Sequence, residues 1–201
     1  MKVGVMASGK GSNFQAIIES INRGEAPDVE IAQLVVNKSN AYAIKIAEKY
    51  KIKCSYIDSS KISREDFDKK AIEIMEGAKV EIIVLAGFMR ILSPLFIKKY
   101  TNKILNIHPS LLPSFPGASA HKDALRYGAK ISGCTVHLVD ENVDSGPIIM
   151  QASVEIVENE TEESLSEKIL FHEHKLLPKA LQLMCSNKVS LEGRQVTINS
   201  D

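Results

Sequence analysis

Val80-Glu81-Ile82-Ile83-Val84-Leu85-Ala86 is apolar at every position but Glu81. A strand with one wet face alternates apolar and polar side chains. A run without alternation marks a strand covered on both faces, as in a parallel sheet. The same grammar repeats on either side of this segment. Strand candidates are Lys2–Ala7, Glu30–Val36, Lys53–Ile57, Glu81–Ala86 and Lys103–His108, then Ile131–Val139 and Pro147–Ile156. Between the early ones lie helix candidates at Asn13–Arg23, Ala41–Tyr50, Arg64–Gly77 and Pro94–Tyr100. Ser63 with Asp66 resembles a capping box, and Pro94 follows Ser93 as an N1 proline follows its cap. Strand and helix in alternation predict βαβ units with right-handed crossovers, hence an α/β fold with a mostly parallel central sheet and helices on both faces. After a short helix at Ala120–Tyr127 the pattern changes. Two strands follow each other around Asp140–Gly146 with no helix between, which predicts an antiparallel extension of the same sheet. A long helix from Thr161 to about Cys185 comes next, with Glu162 and Glu163 in its first turn and an expected kink at Pro178. With no repeat, low-complexity tract or linker, the expectation is a single domain over 1–201 with a short tail at 192–201.

The chain has 201 residues, 44% hydrophobic and 25% charged, enough for one well-buried core. Formal net charge is zero, so neither nucleic acid nor an anionic membrane is an expected partner. Any anionic ligand must be held by local devices. Met1-Lys2 runs straight into a strand and a glycine loop, too short for a signal-peptide core, and no apolar run approaches a membrane span. Cys54, Cys134 and Cys185 form no metal-like pair and leave one unmatched. A reduced, cytoplasmic setting is expected, and nothing distinguishes a monomer from a homodimer.

Ser8-Gly9-Lys10-Gly11-Ser12-Asn13 joins the first strand to the first helix. Backbone N–H groups of such a loop, backed by the helix dipole, form a natural phosphate seat. Three readings compete. A dinucleotide fingerprint needs a small residue where Phe14 stands, and an acid at the second strand's end where Asn37-Lys38 stands. A Walker A loop matches the Gly4, Gly9 and Lys10 spacing but has Gly11 where a hydroxyl must hold magnesium. A tight turn without a ligand is the third. Ser12 and Asn13 add side-chain donors at the helix start and favour a monophosphate.

Asn106 and His108 stand two apart at a strand end, so they project from one face. Pro109 forces an extended exit, leaving His108 at the sheet's carboxyl edge, where open α/β sheets gather ligands. An isolated histidine is more often a satisfied core residue; an amide on the same face shifts the balance toward function. The acidic turn Asp140–Pro147, which contains Asp144, reads by itself as a solvated connection, and spacing does not bring it to His108. The loop Leu85–Pro94 carries large apolar residues that are costly at a tip unless they cover a ligand or a core. His172 and His174 sit two apart on a helix, unlike the four-residue spacing of zinc pairs, and Cys54 and Cys134 read as small core residues. His121 and His137 read as packing residues.

Taken together and in order, these segments resemble the phosphoribosylglycinamide formyltransferase family. The matching pieces are Ser8–Asn13, Ala86-Gly87-Phe88-Met89-Arg90-Ile91-Leu92, Asn106-Ile107-His108-Pro109-Ser110-Leu111-Leu112-Pro113, Gly133-Cys134-Thr135-Val136-His137 and Asp144-Ser145-Gly146-Pro147-Ile148. The resemblance spans about Lys2 to Leu191. It implies a single-domain Rossmann-like formyltransferase fold with a phosphate-binding half at about 1–100 and a catalytic, folate-binding half at about 101–190. It implies 10-formyltetrahydrofolate as co-substrate, glycinamide ribonucleotide as acceptor, direct transfer and no metal. It assigns the acceptor's phosphate to Gly11, Ser12 and Asn13, and its amine end to the neighbourhood of Glu173. It assigns the folate to Arg64, Met89, Arg90, Ile91, Leu92, Asn106, Asp140 and Asp144. Asn106, His108 and Asp144 become the catalytic trio. Ser119 and Leu170 depart from some relatives, which carry a histidine and a polar residue there. Transfer to methionyl-tRNA, hydrolysis of the formylfolate, and a phosphosugar-binding module without catalysis are the alternatives.

Overall fold

The computed structural model describes residues 1–199. In chain order the elements are β1 (Lys2–Ala7), α1 (Ser12–Asn22), β2 (Glu30–Val36), α2 (Ala43–Lys49), β3 (Cys54–Tyr56), α3 (Arg64–Gly77), β4 (Ile82–Leu85) and α4 (Pro94–Lys99). They continue with β5 (Ile104–His108), α5 (Ala120–Tyr127), β6 (Ile131–Leu138), β7 (Ile148–Glu155), α6 (Glu162–Cys185), β8 (Val189–Glu192) and β9 (Gln195–Ile198). Seven strands form one sheet in the order β3-β2-β1-β4-β5-β6-β7. The first five are parallel; β6 pairs antiparallel with β5, and β7 antiparallel with β6. The alternating half of the sequence thus makes the parallel sheet, and the two helix-free strands extend it.

Alternation along the strands sorts side chains to two layers. Val3, Val5, Ala7, Ile82, Val84, Leu105, Ile107, Val136 and Leu138 pack with α1, α2 and α6 on one face. Met6, Val35, Ile83, Leu85 and Ile104 pack with α3 and α4 on the other, through Phe67, Met75 and Phe96. On this second face the buried strand residues stop at Ile104. The next strand positions there are Asn106, His108, Thr135 and His137, and they are polar. Loops, not a helix, close over them.

Local chemistry explains the element boundaries. The Ser63 side chain accepts from the Asp66 N–H at the start of α3, and Ser93 does the same for Phe96 ahead of Pro94. Thr161 and Ser164 form a full capping box at the start of α6. That helix runs on through the buried Pro178. The expected tail holds regular structure: β8 and β9 form a hairpin around Gly193-Arg194, with Gly193 at φ 59, the conformation a two-residue hairpin turn requires of its first residue. Ser200 and Asp201, which end that tail, lie outside the described residues.

Candidate active site

β1 is hydrogen-bonded to β2 on one side and β4 on the other, so the chain direction of winding reverses between β1 and β4. A crevice at the carboxyl ends of the strands is expected there. Ser8, Gly9, Lys10, Gly11, Ser12 and Asn13 line it together with Lys38, Ala86, Gly87 and Met89; its volume is about 280 Å³. Gly11 precedes α1 at φ 73, and a side chain there would stand 2.9 Å from Ala43 Cα, so only glycine fits the turn. The first-turn N–H groups of α1 have no acceptors within the helix and face this end. Lys10 and Lys38, both exposed, put two cations at the rim. In the sequence Lys10 figures only in the Walker A comparison, and one lysine after each of two strands is an ordinary surface feature.

The Ser8–Asn13 loop and the Met89 loop are joined. The Ser8 N–H donates to the Gly87 carbonyl at 3.1 Å, and the Met89 N–H donates to Ser8 Oγ at 2.8 Å. Met89 and Ile91 stand 69% and 60% exposed while Leu92 is buried, so the loop turns two large apolar side chains outward and anchors itself by the third. Arg90 lies over the Phe67 ring, 4.7 Å from its centre, and donates to the Ser59 carbonyl at 3.4 Å. Arg64 opens α3 on the same layer and pairs with Glu65 at 3.5 Å. The Ser93 N–H at the loop's end is held by the buried Asp68 carboxylate at 2.5 Å.

At the end of β5 the structure brings Asn106, His108 and Asp144 together, which spacing alone did not predict. Asn106 Nδ2 donates to Asp144 Oδ1 at 3.3 Å, and His108 Nδ1 lies 3.2 Å from Asp144 Oδ2. The Gly117 N–H donates to the same Oδ2 at 2.8 Å, and His108 Nε2 meets the Phe115 carbonyl at 2.8 Å. Asp144 sits at φ 51, a left-handed conformation that aspartate tolerates better than most residues. Its turn is closed by Asp140, whose Oδ1 accepts from the Asn142 N–H and the Ser145 hydroxyl. Gly146 completes the turn where a Cβ would fall 1.8 Å from the Leu138 carbonyl oxygen. His137 is also present, Nε2 3.1 Å from Asn106 Nδ2, although its sequence setting suggested packing only. The signal that finds it is the β5–β6 register, which sets His137 opposite Asn106 and Thr135 opposite His108.

Electrostatics follow from burial. Desolvation pulls the His108 pKa below the ordinary histidine value, against the opposing effects of the Phe115 carbonyl and the Asp144 charge. For Asp144, burial would raise the pKa, but the neighbouring His137, the bond from the Gly117 N–H and the nearby His108 hold it below the usual carboxylate value. Both ring nitrogens of His108 face acceptors, so a neutral ring is one proton short of filling its contacts.

Glu173 stands on α6 within a buried stripe of Leu165, Ile169, Leu177 and Leu181 at four-residue spacing. A carboxylate in an apolar stripe is itself a functional signal. Burial raises its pKa, opposed by the Asn13 Nδ2 donor at 2.7 Å. Its hydrogen bond therefore goes to the Ser8–Asn13 loop. The Asn13 Oδ1 atom is buried with no partner.

A family model described as "Formyl transferase" matches residues 1–181. The chain is 42% identical over 182 residues to a phosphoribosylglycinamide formyltransferase of Bacillus subtilis (strain 168), across 90% of this chain and 93% of that protein. It is 48% identical over 197 residues to a trifunctional purine biosynthetic protein adenosine-3 of Chironomus tentans; that match takes in 96% of this chain but 14% of the relative's length. The fold superimposes with a TM-score of 0.97 on glycinamide ribonucleotide transformylase 1 from Symbiobacterium toebii, at 38% identity and over 100% of this chain and 94% of that one. The chain belongs to the formyl transferase family, among its phosphoribosylglycinamide formyltransferases.

Proposed function

We propose that this chain transfers the formyl group of 10-formyltetrahydrofolate to the amine of 5'-phosphoribosylglycinamide, giving formylglycinamide ribonucleotide and tetrahydrofolate in de novo purine (IMP) synthesis. The observation that carries the reading is the spacing of two dissimilar sites along one sheet edge. A phosphate-type seat ends β1, and an amide–imidazole–carboxylate cluster ends β5, two strands away. Two inter-strand steps are roughly 10 Å, the reach of a phosphoribosyl group with a short amine arm. Gly11, Ser12 and Asn13 take the phosphate, with Lys10 and Lys38 at the rim. Glu173, one hydrogen bond from Asn13, serves the phosphoribosyl end in this reading rather than the amine. The folate lies along Met89–Leu92 with Arg64, Arg90 and the Asp140–Asp144 turn around it. The phosphate-binding half is thus about 1–100, and the catalytic half about 101–190.

The amine attacks the formyl carbon, a C–N bond forms, and negative charge develops on the former carbonyl oxygen. An N–H aimed at that oxygen in a dry site contributes about 3–4 kcal/mol, and Asn106 supplies it. The proton leaving the amine makes up the shortage at His108, where the imidazolium then donates to both the Phe115 carbonyl and Asp144. As the bond from carbon to the folate nitrogen breaks, that nitrogen takes up the proton, directly or through water. Atoms balance without a covalent enzyme intermediate. All residues involved come from one chain, so the reading holds for a monomer or a homodimer; three free cysteines support a reduced, cytoplasmic setting.

An acceptor series tests this. Glycinamide ribonucleotide should be formylated, and glycinamide riboside, lacking the phosphate, should be a far poorer substrate. Equal turnover of the two would remove the phosphate seat from the account. Loss of formyl to water with no acceptor product would make the chain a hydrolase.

A further inference from the structure

We propose that His137 is a positioning residue for Asn106, fixing which end of its amide faces the reacting carbonyl. This rests on the formyl-transfer reading above. The β5–β6 register sets the two residues directly opposite, and His137 is 1% exposed, so its ring has little freedom. Its Nδ1 lies 2.9 Å from the Leu138 carbonyl oxygen. A carbonyl only accepts, so Nδ1 carries the hydrogen and, in the neutral ring, Nε2 presents a lone pair. That lone pair receives one Asn106 N–H at 3.1 Å, and Asp144 Oδ1 receives the other at 3.3 Å. Turning the amide over would set its oxygen against a lone pair and a carboxylate, losing two hydrogen bonds and creating two acceptor–acceptor contacts.

The two acceptors differ in what happens when substrate arrives. The formyl oxygen must take an Asn106 N–H, and the longer contact to Asp144 is the one it displaces. His137 is then the partner that remains. Without it, nothing in this cluster holds the amide nitrogen toward the formyl group rather than its oxygen. Thr135, the next residue on this face of β6, is already committed: its hydroxyl donates to the Ser110 carbonyl and accepts from the Leu112 N–H.

Two substitutions separate positioning from packing. His137→Leu removes the acceptor at similar volume; His137→Gln keeps a side-chain oxygen that accepts from Asn106. His137→Leu should lower kcat at least about tenfold, with KM for both substrates changed less than about threefold, and His137→Gln should recover most of the loss. In an Asn106→Ala background, His137→Leu should cost nothing further, because the residue it acts through is gone. A readout independent of turnover completes the test. The Asn106 side-chain amide resonances, identified by their loss in Asn106→Ala, should be protected from hydrogen exchange in the wild type and His137→Gln and lose that protection in His137→Leu. Unchanged protection in His137→Leu, or an equal loss of kcat in the presence and absence of Asn106, overturns the proposal. A wild type that shows protected resonances but no formyl transfer would refute the functional reading and leave the positioning contact standing.

Discussion

Asp144→Asn isolates the charge from the shape of the residue around which the site is arranged. Asparagine fits the same volume and tolerates the left-handed backbone at φ 51, so the turn survives the change. What is lost is the negative charge 3.2 Å from His108 Nδ1. Unit charges at that distance interact by about 5 kcal/mol at an effective dielectric constant of 20. The Asp144 side chain is 11% exposed, and water recovers part of that energy. A net loss of about 3–4 kcal/mol in stabilising the imidazolium remains, or about 10²–10³-fold in kcat. The amide adds a smaller effect of the same sign. If its oxygen keeps the Gly117 N–H, its nitrogen turns a donor toward the Asn106 donor. Folate binding draws on many other contacts and should change less than about threefold. Steady-state kinetics with folate affinity measured separately gives the first comparison. Proton NMR titration of the His108 ring gives the second: the Asp144 charge raises the His108 pKa, so its removal should lower that pKa further. A kcat within about tenfold of wild type, or a His108 ring titrating at the same or higher pH, would refute the reasoning.

Three further outcomes follow from the same geometry. Glu173 holds its proton to higher pH folded than unfolded, so its contribution to stability is full below the ordinary value of 4.5 and is lost as pH rises through the folded value. Glu173→Gln should therefore match wild-type stability in acid and exceed it at about pH 8 in denaturant titrations, while acceptor affinity falls. Gly146→Ala drives a methyl into the Leu138 carbonyl, where the gap is 1.8 Å, and should cost about 1–3 kcal/mol or more, seen as a lower Tm. Ser8→Ala removes the hydroxyl that ties the Met89 N–H to the Ser8–Asn13 loop at 2.8 Å; the loss of about 1 kcal/mol should raise KM about fivefold for both substrates, since either loop alone loses its shared support.

Most of the fold is legible in the sequence because local signals agree with the global one. The unbroken apolar run at Ile82–Leu85 is the buried strand its composition implies, and Ser63 and Ser93 cap the helices they precede. Boundaries moved by a residue or two: β4 begins at Ile82, although the Glu81 N–H still donates to the Lys2 carbonyl and its carboxylate accepts from the Lys2 N–H. The β8–β9 hairpin was there to be read in the alternation around Gly193, but two four-residue strands beside an exposed tail carry little apolar weight. The site divides along the same line. Asn106 and His108 are two apart on one strand, so their shared face is a local fact. The contacts of Asp144, 36 residues beyond His108 in sequence number, depend on a left-handed turn and a glycine at 146, which only the family resemblance brought in. His137 reads as packing in the sequence, and its contact with Asn106 is set by the register between two strands, which no single-strand pattern contains.

The measurement closest to the central claim follows the formyl carbon itself. The protein is supplied with 10-formyltetrahydrofolate labelled with ¹³C in the formyl group and with glycinamide ribonucleotide. The account predicts that the label appears in formylglycinamide ribonucleotide, one for each tetrahydrofolate released, and that no labelled formate accumulates. Label recovered as formate, or retained on the folate while the ribonucleotide stays unchanged, would contradict it.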